Sequence, residues 1–190
     1  MNFNKHFDLV GQHAFLGASK YHWINYDEEK VANSYFSFLA IQKGTELHDL
    51  ARRLIENGVK LPKSSKTLNM YVNDAIGYHM VPEQVLRYSD NCFGTTDAIS
   101  SLDSIIKTKV LRIHDYKSGT MPAHREQLEI YTALFCLEYR MKPSDLDIQL
   151  RIYQSDAIDA WTPDADDILA ITEKIIAFDK IIDRIKFEEE

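Results

Sequence analysis

Asp115 and Lys117 stand two residues apart at the end of an apolar run, Val110-Leu-Arg-Ile-His-Asp-Tyr-Lys-Ser-Gly119. Side chains of an extended chain alternate between faces, so Leu111, Ile113, Asp115 and Lys117 are expected to point one way. A carboxylate and an ammonium at the end of a buried strand lose hydration unless they pair with each other, a metal or a substrate. A second run, Cys92-Phe-Gly-Thr-Thr-Asp-Ala-Ile99, adds Asp97, with Phe93, Thr95, Asp97 and Ile99 predicted on one face. If the two runs are hairpin neighbours, Asp97 and Asp115 converge beside Lys117. Two acids and a lysine suit a hard divalent cation and an activated water.

The elements that must position these residues follow from periodicity. Residues 1–26 are rich in aromatics and histidines without a sustained period, which predicts loop and short helical turns. Asp27 is placed to cap a helix running to about Lys43, with Val31, Tyr35, Phe38 and Leu39 on one face. Gly44 is expected to break or bend that helix. A second helix, carrying Leu47, Ala51, Leu54 and Ile55 inward, then stops at Asn57-Gly58. His48 lies on it and reads, from the residues alone, either as a histidine packed at a helix surface or as a metal ligand.

A helix over 67–79 uses Leu68, Tyr71, Val72 and Ala75, and a strand over 81–88 carries Glu83 near its start. Strands 92–100 and 108–117, joined by a polar connection, are most simply antiparallel. A helix over 123–140 stacks Gln127, Tyr131, Leu134 and Glu138 along one side, and Lys142-Pro143 closes it. A strand over 147–153 and a short one over 157–161 precede Thr162-Pro163, a helix start with Asp164, Asp166 and Asp167 at the positive end of its dipole. Ile168, Ile171, Ile175, Phe178, Ile182 and Ile185 then repeat at three and four residues, predicting one buried face. The expected fold is α/β, a small mixed sheet flanked by helices in a single domain spanning residues 1–190.

Composition narrows the class. The chain has 190 residues, 45% hydrophobic and 27% charged, ordinary values for a soluble globular protein. No apolar run approaches membrane-spanning length and the first residues lack a signal-peptide core, so a cytoplasmic protein with no membrane partner is expected. Cys92 and Cys136 are too few for a disulfide scaffold or a four-cysteine cluster, so no iron–sulfur cluster is expected. The formal net charge of −7 argues against generic polyanion binding.

Some local patterns imitate known motifs. Ser104-Ile-Ile-Lys107, Ser89-Asp90-Asn91 and Lys117-Ser118-Gly119 echo the motifs of penicillin-binding serine enzymes, but in the wrong order and too crowded for that fold. Lys117-Ser118 lacks the glycines of a P-loop, and Asp164 to Asp167 lack the glycine and terminal glutamate of an EF-hand.

What remains is an ordered set: Gly44-xxx-His48, Gly94-x-x-Asp97, Asp115-Tyr116-Lys117 and Gln127-xxx-Tyr131. This order and spacing resembles the PD-(D/E)XK nuclease superfamily, especially the RecB-type branch with the CRISPR-associated exonucleases and phage exonucleases. The resemblance implies a restriction-endonuclease-like core and a Mg²⁺- or Mn²⁺-dependent deoxyribonuclease, an exonuclease in DNA recombination, repair or phage DNA processing. It implies that His48, Asp97, Asp115 and the Tyr116 carbonyl hold the metal, that Lys117 serves the attacking water and the phosphate, and that Gln127 and Tyr131 orient that lysine, the metal shell or the DNA. Related enzymes carry a further acid ahead of the aspartate, which Glu83 would supply here.

DNA is the implied partner, with a homo-oligomer or a recombination partner protein left open. An acidic protein that approaches DNA needs its cations near the site, and Arg52, Arg53, Lys107, Lys109, Arg112 and Arg125 are the candidates. Two rivals stand beside this reading: a non-catalytic DNA-binding or assembly protein on the same fold, and a structural domain with a buried Asp–Lys pair.

Overall fold

The computed structural model of the chain describes residues 4–103 and 109–189, so the expectations resting on Lys107 and on Ser104 to Lys107 lie outside the described residues. The chain divides into two compact units, Met1–Thr45 and Glu46–Glu190. In the first, short 3-10 turns at Phe7–Leu9 and Ala18–Asn25 precede the helix α1 (Glu28–Glu56). The Asp27 carboxylate accepts from the Lys30 amide at 2.8 Å, the capping bond that starts α1. Phe15 packs on Tyr35 and Phe38 within this unit.

Gly44 does not stop α1, correcting the expected break. A glycine costs a helix about 1 kcal/mol relative to alanine, and the good helix formers around it outweigh that. The helix ends instead at Glu56, where Gly58 takes φ +65 and the Gly58 and Val59 amides return to the Ile55 and Leu54 carbonyls.

The second unit is built on a five-stranded mixed sheet in the order β1 (Val81–Ser89), β2 (Cys92–Asp103), β3 (Lys109–Lys117), β4 (Leu146–Gln154), β5 (Ala157–Trp161). All neighbours are antiparallel except β3 and β4, which run parallel and are connected through α3 (Glu126–Tyr139). Such a parallel pair needs a crossover element, and its strands are covered on both faces. One layer joins Leu111 and Ile113 to Leu128, Leu134 and Phe135 of α3 and to Ile168 of α4 (Ala165–Glu189). The other joins Ala98, Tyr116 and Tyr153 to Ala51 and Ile55 of α1 and to Tyr71, Val72 and Ala75 of α2 (Thr67–Gly77).

Two further local expectations are corrected. The predicted alternation over 92–99 fails: Phe93 is exposed, while Cys92 and Gly94 lie on the α3 layer with Ile99. The interruption falls where Glu83 of β1 takes φ +52, between the Pro82–Ala98 and Gln84–Thr96 pairs of the ladder. Lys142-Pro143 does not close α3; Arg140 does, in the left-handed conformation at φ 54 and ψ 43, and Pro143 opens a separate 3-10 turn.

The apolar face predicted for α4 is only half used. Ile168 is buried and Ile171 and Ile175 pack against the core, but Phe178, Ile182 and Ile185 are exposed. Beyond Ile175 the helix is clasped by polar contacts: Ser89 and Asn91 at the β1–β2 turn donate to Asp179, and Asn91 also to Asp183. Among the described residues no helix is long and apolar enough to cross a membrane.

Candidate metal centre

The antiparallel pairing of β2 with β3 brings the two aspartates together. One step beyond the Ala98–His114 pair, Asp97 comes level with Asp115, and the Asp97 Oδ2 atom accepts the Tyr116 amide at 2.8 Å. Tyr116 itself belongs to the opposite layer of β3, where its ring stacks on Tyr71 and meets the edge of the His48 ring. That packing fixes where the Tyr116 backbone lies. It also sets His48 over the strand end, with Nδ1 3.5 Å from Asp97 Oδ2. Tyr71 was not among the site candidates; its only signal in the sequence is its place on the apolar face of α2.

Glu83 joins from β1. Its place in the ladder is level with Asp97, and one ligating atom each of His48, Glu83 and Asp97 lies within 4.8 Å of the other two. Asp115 is buried and turned toward Lys117, whose ammonium donates to Oδ1 at 3.2 Å and lies 3.0 Å from Oδ2. No hydrogen bond of good geometry reaches Asp115 Oδ2. The lysine donates again to Gln127 Oε1 at 3.0 Å, and Gln127 Nε2 donates to the Tyr131 hydroxyl at 3.3 Å. Gln127 and Tyr131 are one helical turn apart on α3, the spacing that lets one side chain brace the other.

Electrostatics follow from burial. Both carboxyls are held above the usual aspartate range by desolvation; Asp97 is raised further by the charge of Asp115, and Asp115 is partly relieved by Lys117. Burial lowers the pKa of His48, against the pull of Asp115, which favours the neutral imidazole. Burial raises the Tyr131 hydroxyl.

The arginines named as DNA contacts are already engaged. Arg52 bridges Asp49 and Glu56, and Arg53 pairs with Asp49. Arg125 grips Asp159 through two bonds of 2.8 and 2.6 Å and lies over the Trp161 ring. Arg112 donates to Gln149 and stacks on Tyr78 at the end of α2, on the other side of β3 from Lys117. A cleft of about 390 Å³ does adjoin Lys117, lined by Thr67, Ser118, Gly119, Thr120, Ser155 and Asp156. Ser89 and Asn91, the serine-enzyme decoys, hold α4.

His48, Glu83 and Asp97 therefore bring one imidazole and two carboxylates within reach of one another, with Asp115 and the Lys117 ammonium beside them. Oxygen-rich sites of this kind suit hard divalent ions, and one imidazole improves the competitiveness of Mn²⁺. Compared with protein-family models, with curated proteins and with solved structures, the chain matches none.

Proposed function

We propose that this chain is a metal-dependent deoxyribonuclease of PD-(D/E)XK type, hydrolysing DNA phosphodiester bonds with Mg²⁺ or Mn²⁺. The reading is supported most by one observation: Asp97 and Asp115 converge across β2 and β3 while Lys117, beside them, is fixed by Asp115 and Gln127. A purely structural ion pair would not need a second, largely desolvated carboxylate, raised by that desolvation and then by the charge of the first. A further fact suits a cation: His48 and Glu83 close on Asp97. His48, Glu83, Asp97, Asp115 and the Tyr116 carbonyl would hold the ion. When bound, such an ion lowers the pKa of a water and offsets phosphate charge.

The protein's own residues then divide the remaining work. Lys117 presents a cation where charge develops on the phosphate, and Gln127 keeps it from collapsing fully onto Asp115. Neutral His48 offers a lone pair rather than a proton. The hydroxyl-lined cleft beside Lys117 is where the DNA backbone would run. Action from DNA ends, like the restriction-endonuclease-like core itself, is inferred from the RecB-type order of the motifs. Isothermal titration with Mn²⁺ tests the site: wild type should bind, and Asp97→Asn and Asp115→Asn should each weaken binding at least about ten-fold, the loss of one charged ligand. Equal binding by all three proteins would remove these residues from the site.

A further inference from the structure

Gly94 stands three residues before Asp97 and belongs to no catalytic contact, yet its position in β2 leaves no room for a side chain. A Cβ built there would meet Tyr131 Cε1 at 2.8 Å, with Cδ1 and Cζ at 3.7 and 3.8 Å. Real Cβ atoms do not approach that closely, and the ring is held between the strand and its own helix, so the tyrosine would have to move. Elsewhere glycine is used for its backbone freedom, as at Gly58. At Gly94 it is used for the missing side chain.

The ring that rests on Gly94 is the one whose hydroxyl receives Gln127 Nε2 at 3.3 Å. The same amide turns its Oε1 to Lys117 at 3.0 Å, and Lys117 contacts Asp115 at 3.0 Å. The contacts run without a gap from Gly94 to Tyr131, Gln127 and Lys117. An amide has two ends of opposite character: the ammonium, which only donates, takes Oε1, and the Tyr131 hydroxyl accepts from Nε2 and so holds the amide in place against the lysine. With the amide turned over, two donors would oppose each other.

We propose that Gly94 is a positioning residue: by leaving room for the Tyr131 ring it sets the Gln127 amide, and through it the Lys117 ammonium, for the reaction at Asp97 and Asp115. The proposal rests on the nuclease reading for its consequence but not for its geometry. It differs from a packing role in its reach, because the effect of Gly94 on the reaction must pass through Gln127.

The experiment is a double-mutant cycle on Mn²⁺-dependent DNA cleavage with Gly94→Ala, Gln127→Ala and the pair. Gly94→Ala should lower kcat roughly ten- to hundred-fold, the usual penalty for a misplaced catalytic group, with KM for DNA and Mn²⁺ affinity unchanged within about two-fold. In the Gln127→Ala background the same substitution should cost less than about two-fold, since coupled residues do not add. Equal losses in both backgrounds would overturn the proposal. Should Gly94→Ala fail to fold, Gly94→Ala in a Tyr131→Leu background removes the ring that the methyl meets; a fold restored there with no loss beyond Tyr131→Leu alone supports the proposal, and a further loss overturns it. A readout free of catalysis is the side-chain amide NMR signal of Gln127, which Gly94→Ala should displace in the metal-free protein. If wild type cleaves no DNA but that signal moves, the nuclease reading fails and the positioning stands; an unmoved signal overturns the positioning.

Discussion

A buried carboxylate and a partly buried one set level with each other cost stability once both are charged. Asp97 and Asp115 are raised in the folded chain above their unfolded values, by burial first. The unfolded chain therefore releases these protons at lower pH, and the cost appears as pH rises from the ordinary aspartate range through the raised values. At pH 8 without metal, Asp97→Asn should stabilise the fold by about 1–3 kcal/mol, because a carboxyl held protonated above its ordinary range costs about 1.4 kcal/mol for each tenfold change in its acidity. Mn²⁺ should raise the melting temperature of wild type more than that of the variant. A metal-free variant less stable than wild type would contradict the account.

His114 supplies the opposite case. It is fully buried, its Nδ1 lies 3.3 Å from the Tyr153 hydroxyl, and burial with the nearby Arg151 and Arg112 charges lowers its pKa to about 3. Tyr153 in turn donates to Asp74, which also pairs with Arg151, so that carboxylate is already committed. The unfolded imidazole takes up a proton near its ordinary value while the folded one does not. Stability should fall as pH drops from about 6.5 toward 3, by about 1.4 kcal/mol per pH unit from this group alone. Urea unfolding at pH 6 and pH 4.5 should show a shallower fall for His114→Phe, whatever its absolute stability. An identical slope would remove His114 as the cause.

At the scale of elements, the helix ends offer the cleanest tests. Arg140 closes α3 in the left-handed conformation, and its amide returns to the Cys136 carbonyl. A side chain there costs about 1 kcal/mol that glycine avoids, so Arg140→Gly should raise stability by about that amount. A lower melting temperature would show that the arginine side chain matters more than its backbone. On α4, Asp179→Ala removes the acceptor of Ser89 and Asn91. Hydrogen exchange should accelerate over the last turns of α4 and leave Ile168 protected, because only the second half of the helix depends on that clasp.

Much of this was legible in the sequence because it is set by local period. The apolar runs at 110–117 and 92–99 reveal their strands, and pairing them as antiparallel neighbours is enough to bring Asp97 toward Asp115, as the ladder between β2 and β3 does. Periodicity reveals that α4 has an apolar face, but not that Phe178, Ile182 and Ile185 lie beyond the core that covers Ile168. Glu83 was a candidate, but the direction of its side chain was beyond reach for another reason: its φ of +52 interrupts the strand pattern from which that direction would be read. The partners of the arginines were hidden too, since Arg125 binds Asp159, distant in sequence, and Arg112 rests on Tyr78 and Gln149.

Over the whole molecule, a formal charge of −7 and arginines committed to internal pairs leave little long-range attraction for DNA. Binding should then rest on few phosphate contacts, and its affinity should fall less steeply with salt than that of a protein with a broad basic face. A steep loss of DNA binding between 50 and 200 mM salt, on the order of the 10³-fold typical of six or more phosphate contacts, would show that the pairs open.

Lys117, fixed between Asp115 and Gln127, is proposed to serve the cleavage of a phosphodiester. The direct measurement is the digestion of end-labelled linear duplex DNA, with closed circular DNA alongside, in Mn²⁺ by wild type and Lys117→Ala. Wild type should degrade the linear DNA and spare the circle, while Lys117→Ala should still bind Mn²⁺ and DNA but cleave at least about a hundred-fold more slowly, as for loss of a group that stabilises the transition state. Near-normal cleavage by Lys117→Ala, or none by wild type, would contradict the account.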